Sequence, residues 1–182
     1  TARWLLIASA MRMAMHVAGG SLLAYLWLTA EPGSPVALLP AQAFGTDPMA
    51  LDYASITGTE SFAERVSRRL MGFGNALGTQ VGGIPSALTT MLVGAALWRN
   101  GLLAGGWERA RYFALARWTA VIALPVLVLL MLLDIDAGFS GAMVGAVSLF
   151  WSLPFDLILA VGYAALVMGL FSNREGKLRT RL

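Results

Sequence analysis

Arg12 and His16 lie four residues apart in an otherwise apolar run, a spacing that puts both on one face of a helix. An imidazole in such a place can act as a general base, oriented or kept neutral by the nearby guanidinium. Arg at the centre of a bilayer costs ~2.5–3.5 kcal/mol on insertion scales, so such residues usually face protein or water. The plainer alternative starts the membrane-embedded helix near Met13 and lets Arg12 snorkel to the interface. Asp156 is the third candidate, at a helix start beside a proline break in Ser152-Leu153-Pro154-Phe155. A carboxylate there caps free backbone N–H groups, pairs with Arg12 or Arg117, or handles a proton or substrate. Gln80, Thr89, Thr90 and Ser148 read as interhelical hydrogen-bond partners.

Much other chemistry is excluded. The chain has no Cys and one His, which rules out disulfides, thiolate catalysis and a multi-His metal site within it. No glycine-rich phosphate loop, nucleophile elbow or paired-carboxylate site occurs, so neither cofactor nor metal is expected. The formal charge is +3, but the basic residues sit in short segments between apolar runs and form no aromatic-interleaved stripe, so nucleic acid is not an expected partner. Of the 182 residues, 58% are hydrophobic and 13% charged, whereas soluble domains run at about 45–50% and 25%. Mean hydropathy is +0.70. The expected surroundings are a lipid bilayer, and the expected fold is an all-α polytopic transmembrane helix bundle. It would have about four spans plus one amphipathic interfacial helix.

The spans that must position these residues fall at about 4–29, 76–98, 113–133 and 155–171, each long enough for ~30 Å of hydrocarbon. The apolar stretch from Gly138 to Phe171 exceeds one crossing, and Pro154 divides it into an interfacial or re-entrant piece near 139–151 and the last span. The turn Glu31-Pro32-Gly33-Ser34-Pro35 ends the first span. A long connection, 30–75, then leads to the second. Its first part is Pro-rich and acidic and reads as loop; its last part reads as an amphipathic helix. Ser61 and Glu64 have capping-box spacing, and Phe62, Val66, Leu70 and Phe73 share one face. Glu64 and Arg68 stand at i,i+4. A helix along the headgroups is the favoured reading, a lid over a cavity the other.

Arg99, Arg109 and Arg111 lie between the second and third spans, and Arg174, Lys177, Arg179 and Arg181 lie in the tail, whereas the turn after the third span carries only Asp134 and Asp136. The positive-inside rule therefore puts the Arg99–Arg111 segment and the tail in the cytoplasm and 30–75 outside. Arg65, Arg68 and Arg69 run against that rule, so their helix should meet outer headgroups or an acidic partner. Small residues recur every four positions at Gly74, Gly78, Gly82, Ser86, Thr90 and Gly94. This spacing favours close helix packing; a substrate path is the alternative. Gly141 and Gly145 form a further small pair, and Ala10, Ala14 and Ala18 another.

The stretch Met91 to Leu103, MLVGAALWRNGLL, resembles the YeiB family of bacterial inner-membrane proteins, which show a similar Met-Leu-x-Gly-Ala-x-Leu-x-Arg-x-Gly pattern. A second match is Gly162-Tyr163-Ala164-Ala165-Leu166, and Arg68 falls where such proteins tend to carry an Arg. The resemblance covers about Arg65 to Phe171. The family's opening Asp-x-x-Arg-Gly and closing Gly-Arg-x-x-Leu-Thr-Asn-Tyr segments do not occur, so the chain looks like the middle-to-late portion of a longer one. Such proteins are similar to membrane acyltransferases that move acyl groups onto sugars. The catalytic His and Asp of those enzymes have no mapped counterpart here, and Asp156 is not part of the pattern.

Three roles follow. The first is an acyltransferase-like enzyme acting on a cell-envelope acceptor, in which this chain supplies scaffold and Arg68 and Arg99 as anion contacts. The second is a transporter or permease, with the glycine-rich helix and the Pro154 break lining a path. The third is a structural membrane protein. The expected partners are lipid and the remaining helices of a longer chain or a helical partner, and the expected location is the bacterial inner membrane. Cysteine introduced at Ala50 should label from outside and at Gly105 only from the cytoplasm; the reverse pattern would invert the topology.

Overall fold

The computed structural model describes residues 1–44 and 47–171, with backbone only at 49–50, 53–54, 57, 75–82 and 85–86. Helices α1 (Ala2–Thr29), α2 (Pro35–Ala43), α3 (Pro48–Gly58), α4 (Phe62–Met71), α5 (Phe73–Arg99) and α6 (Arg109–Asp136) follow in order. After them come α7 (Gly141–Ala146), one π-helical turn (Val147–Trp151) and α8 (Leu153–Phe171). Among the described residues there is no strand. Helices α1, α6 and α8 are long and apolar enough to cross a membrane, and the fold is that of an all-α polytopic membrane protein. These three contain the stretches 4–29, 113–133 and 155–171. The stretch 76–98 lies within α5, of which Ala87–Arg99 is a shorter apolar helix by itself.

The Pro-rich part of the connection is helical, contrary to the loop expected there. Two of its prolines stand where helices tolerate them: Pro35 and Pro48 open α2 and α3, where the missing N–H would have no intrahelical partner anyway, while Pro40 lies inside α2. Ser34 caps α2 by accepting the Ala37 N–H. Before it, Ser34 N–H donates to Glu31 C=O at 3.0 Å, and Gly33 takes φ 83°, giving a type II turn with Pro32 at its second position.

The chain forms two compact units. The first holds, among the described residues, Thr1–Ala14, Thr89–Leu130 and 152–171. Its organising residue is Tyr112, fully buried, whose hydroxyl donates to Leu102 C=O at 2.7 Å and accepts the Trp107 N–H. The Leu102 N–H returns to Leu97 C=O and the Gly101 N–H to Trp98 C=O, with Gly101 at φ 81°. That is a Schellman ending to α5, and a Cβ would strain its left-handed residue. Leu102, Tyr112 and Ala165 form the centre, flanked by Leu97, Trp107, Leu115 and Met168. α8 lies on α6 through small residues: a Cβ at Gly162 would collide with Thr119, and one at Gly169 would meet Tyr112 Cβ at 2.9 Å. Thr119 turns its hydroxyl onto the Leu115 and Ala116 carbonyls of its own helix, so the seam leaves no donor bare. Ser9, also buried, donates to Thr89 C=O across α1 and α5.

The second unit holds Met15–Leu88 and Met131–Trp151. The capping box of α4 forms as read, with Ser61 N–H and hydroxyl both donating to Glu64. The Ser61 hydroxyl first, and its backbone N–H second, hold the Glu64 carboxyl below its ordinary range. Arg68 reaches back to Glu60 at 2.7 Å. Phe62, Val66, Leu70 and Phe73 are all exposed, so α4 presents its apolar side outward.

Among the described residues, close packing on small residues is seen where α8 meets α6. A Cβ at Gly74 or Gly94 would meet nothing within 4 Å, and the surroundings of Gly78 and Gly82 fall outside the described residues. Gly162→Leu should therefore destabilise the detergent-solubilised protein by about 1–3 kcal/mol, the usual cost of overpacking, and Gly94→Leu should do far less. Equal melting temperatures for the two variants would contradict the seam.

Candidate functional site

The imidazole of His16 is held by a feature that spacing alone did not reveal. In the second unit, α1 runs beside the π turn, and His16 Nε2 donates to Leu149 C=O at 2.9 Å. The π register asks residue 154 for the N–H that would meet this carbonyl, and residue 154 is Pro, which has none. The histidine supplies a donor instead. Because a carbonyl only accepts, Nε2 must carry the proton, and in the neutral ring Nδ1 is then the basic nitrogen. Nδ1 has no partner among the described residues.

The surrounding contacts fix this arrangement. Gly20, one turn beyond His16, is buried under Phe150, whose ring would overlap any Cβ there. Phe150 also lies 5.6 Å from the His16 ring and 5.9 Å from Trp27, centroid to centroid. Trp151 donates its indole N–H to the Ser21 hydroxyl at 3.1 Å. Gly145 of α7 packs on Trp27 and Phe44, and Gly141 sits against the Pro40 and Phe44 carbonyls, so the small pair of α7 is a packing pair. The Asp47 carboxylate accepts the Gly141 N–H, tying the start of α3 to the start of α7. Ser148 bonds Val144 C=O within its own segment, contrary to the interhelical role expected.

Arg12, Asp156 and Arg99 belong to the first unit. Arg12, earlier on α1, is half-buried and has no hydrogen-bond or ion-pair partner among the described residues. Asp156 is exposed in the first turn of α8, where its charge suits the helix dipole. It pairs with neither Arg12 nor Arg117 among the described residues. Arg99 is exposed in the last turn of α5, the favourable end for a cation. Two residues went unread in the sequence. Asp47 looked like one more acid in a loop, and Asp134 like an outer-turn charge, yet its Oδ1 is buried with no hydrogen-bond partner among the described residues. Neither a metal ligand spacing nor a motif marks them.

Taken together these features define an all-α membrane protein with one histidine bonded to an irregular turn of a neighbouring helix, and among the described residues no His/Asp/Glu group that could hold a metal. Residues 97–182 match the family model described as a protein of unknown function (DUF418), which is the YeiB-like family. The match begins inside the Met91–Leu103 stretch and includes Gly162 to Leu166; residues 65–96, where the resemblance was also read, lie outside it. No curated protein and no solved structure matches the chain.

Nitrogen-15 NMR tests the hydrogen-bond assignment directly, since the chain has one His. The neutral ring should show a protonated Nε2 and a bare Nδ1; the opposite tautomer would break the assigned bond to Leu149.

Proposed function

We propose that this chain is the membrane-embedded part of a YeiB-like enzyme of the bacterial inner membrane, transferring an acyl group to a cell-envelope acceptor. His16 serves as the base. The observation that carries the reading is the Nε2–Leu149 bond, which directs Nδ1 as the proton-accepting nitrogen. In this scheme Nδ1 takes the proton of an acceptor hydroxyl as its oxygen attacks an activated acyl carbonyl. The proton then passes to the departing group, so the imidazole ends as it began.

Several surfaces support the scaffold role. The outward apolar side of α4 suits a helix lying along headgroups. Arg99 is exposed and able to contact an anion; Arg68 does so only by leaving Glu60. The open space beside Gly74 and Gly94 suits a helix from the rest of a longer chain or from a partner, continuing the stripe through Gly78 and Gly82.

A permease-like role is the second reading. It is favoured by the break at Ser152 between the π turn and α8, with Asp156 in the first turn that follows. Labelled acyl donor supplied to membranes carrying the full-length protein separates the two. His16→Gln should cut transfer by about 10²–10⁴-fold, whereas Asp156→Asn should leave it nearly unchanged. Unaltered transfer in His16→Gln removes the enzyme reading. Solute flux in proteoliposomes that needs Asp156, without acyl transfer, selects the permease.

A further inference from the structure

A groove on α6, in the first unit, has a composition of its own. Ala110, Phe113, Ala114 and Arg117 line a cavity of about 290 Å³. The four positions follow i, i+3, i+4 and i+7, so they share one face of the helix. The two alanines form a low floor, and Phe113 makes one wall. Arg109 lies over the Phe113 ring at 5.3 Å, and Arg117 lies over Trp118 at 5.9 Å. Neither guanidinium has a carboxylate partner among the described residues. Glu108 is the one acid beside them in sequence, against Arg109, Arg111 and Arg117.

Position along the helix sharpens this. Arg109 is the first residue of α6, and Arg117 is about 12 Å further in at 1.5 Å per residue. The two cations thus stand toward the two ends of the Ala110–Ala114 floor. An Arg within an apolar helix is costly unless something satisfies it. Stacking on aromatic faces meets part of that need and leaves every guanidinium N–H free to donate.

We propose that this groove binds an anionic phospholipid of the bilayer. The headgroup phosphate is held by Arg109 and Arg117, and the upper part of one acyl chain lies over Ala110 and Ala114 against Phe113. Guanidinium donors match phosphate oxygens in a way that a zwitterionic headgroup, carrying its own ammonium, weakens. The inference needs the chain to be in a membrane but does not depend on acyl transfer.

Native mass spectrometry of the full chain, extracted from nanodiscs of mixed phosphatidylglycerol and phosphatidylcholine, tests it. Bound phosphatidylglycerol should exceed phosphatidylcholine, relative to supply, by about five-fold for each engaged Arg. Arg109→Gln/Arg117→Gln should bring the ratio near one, Arg117→Lys should retain most of it, and Ala114→Phe should abolish it by filling the groove with all charges intact. Equal retention of both lipids by the wild type would overturn the proposal. So would a preference that survives Ala114→Phe, which means surface charge alone. Displacement of the lipid by millimolar inorganic phosphate would also overturn it, since the site would then be one for the free anion. Retained acyl transfer with no lipid preference would remove this inference and leave the enzyme reading standing.

Discussion

Hydrocarbon offers no hydrogen bonds, so every backbone carbonyl or N–H that leaves regular helix must find its partner within the protein. Several side-chain contacts among the described residues meet that need, which holds for any backbone group buried away from water. At the end of α5, Tyr112 meets the Leu102 carbonyl and Trp107 meets that of Asn100. Asp47 meets the first N–H of α7, and Ser9 meets a carbonyl of α5. His16 belongs to the same set in its Nε2 bond, since it donates to a carbonyl whose π-register partner, Pro154, has no N–H. What separates it from the others is its second nitrogen. Tyr112 uses its hydroxyl twice, as donor and acceptor, whereas the imidazole keeps one nitrogen for other work.

The stretches that carry the family resemblance also contribute packing residues. Met91–Leu103 supplies the buried Val93 and Ala96, the Schellman glycine Gly101 and the central Leu102. Gly162 and Ala165 let α8 lie on α6. Such motifs identify a fold because close helix contact admits few residue types. They say little about reaction chemistry, which is why a match of residues 97–182 to the YeiB-like family model gives a likeness and no activity.

The sequence made the long helices, the turn at Gly33 and the α4 capping box legible, because length, proline placement and capping chemistry act over a few residues. It does not show α2 and α3, since clustered prolines read as breakers whereas two of them are helix openers. Nor does it rank the glycines. Gly74 and Gly94 share a stripe with Gly78 and Gly82 yet face open space, and Gly20, which belongs to no stripe, lies under Phe150. Spacing reports which residues share a face and is silent on what comes to meet that face. The role of His16 was legible as residue type, whereas its partner, a backbone carbonyl 133 positions away, leaves no mark in composition.

The clasp between Asp47 and the start of α7 carries a consequence for the stability of that helix. A six-residue helix cannot persist alone, because nucleation costs more than so few bonds return. The carboxylate that secures its first N–H comes from 94 positions earlier in the chain. α7 therefore depends for its stability on the contacts that α2 and the start of α3 supply. The irregular turn that follows it inherits that dependence, so damage to the proline-rich helices should surface first as loss of order around the histidine.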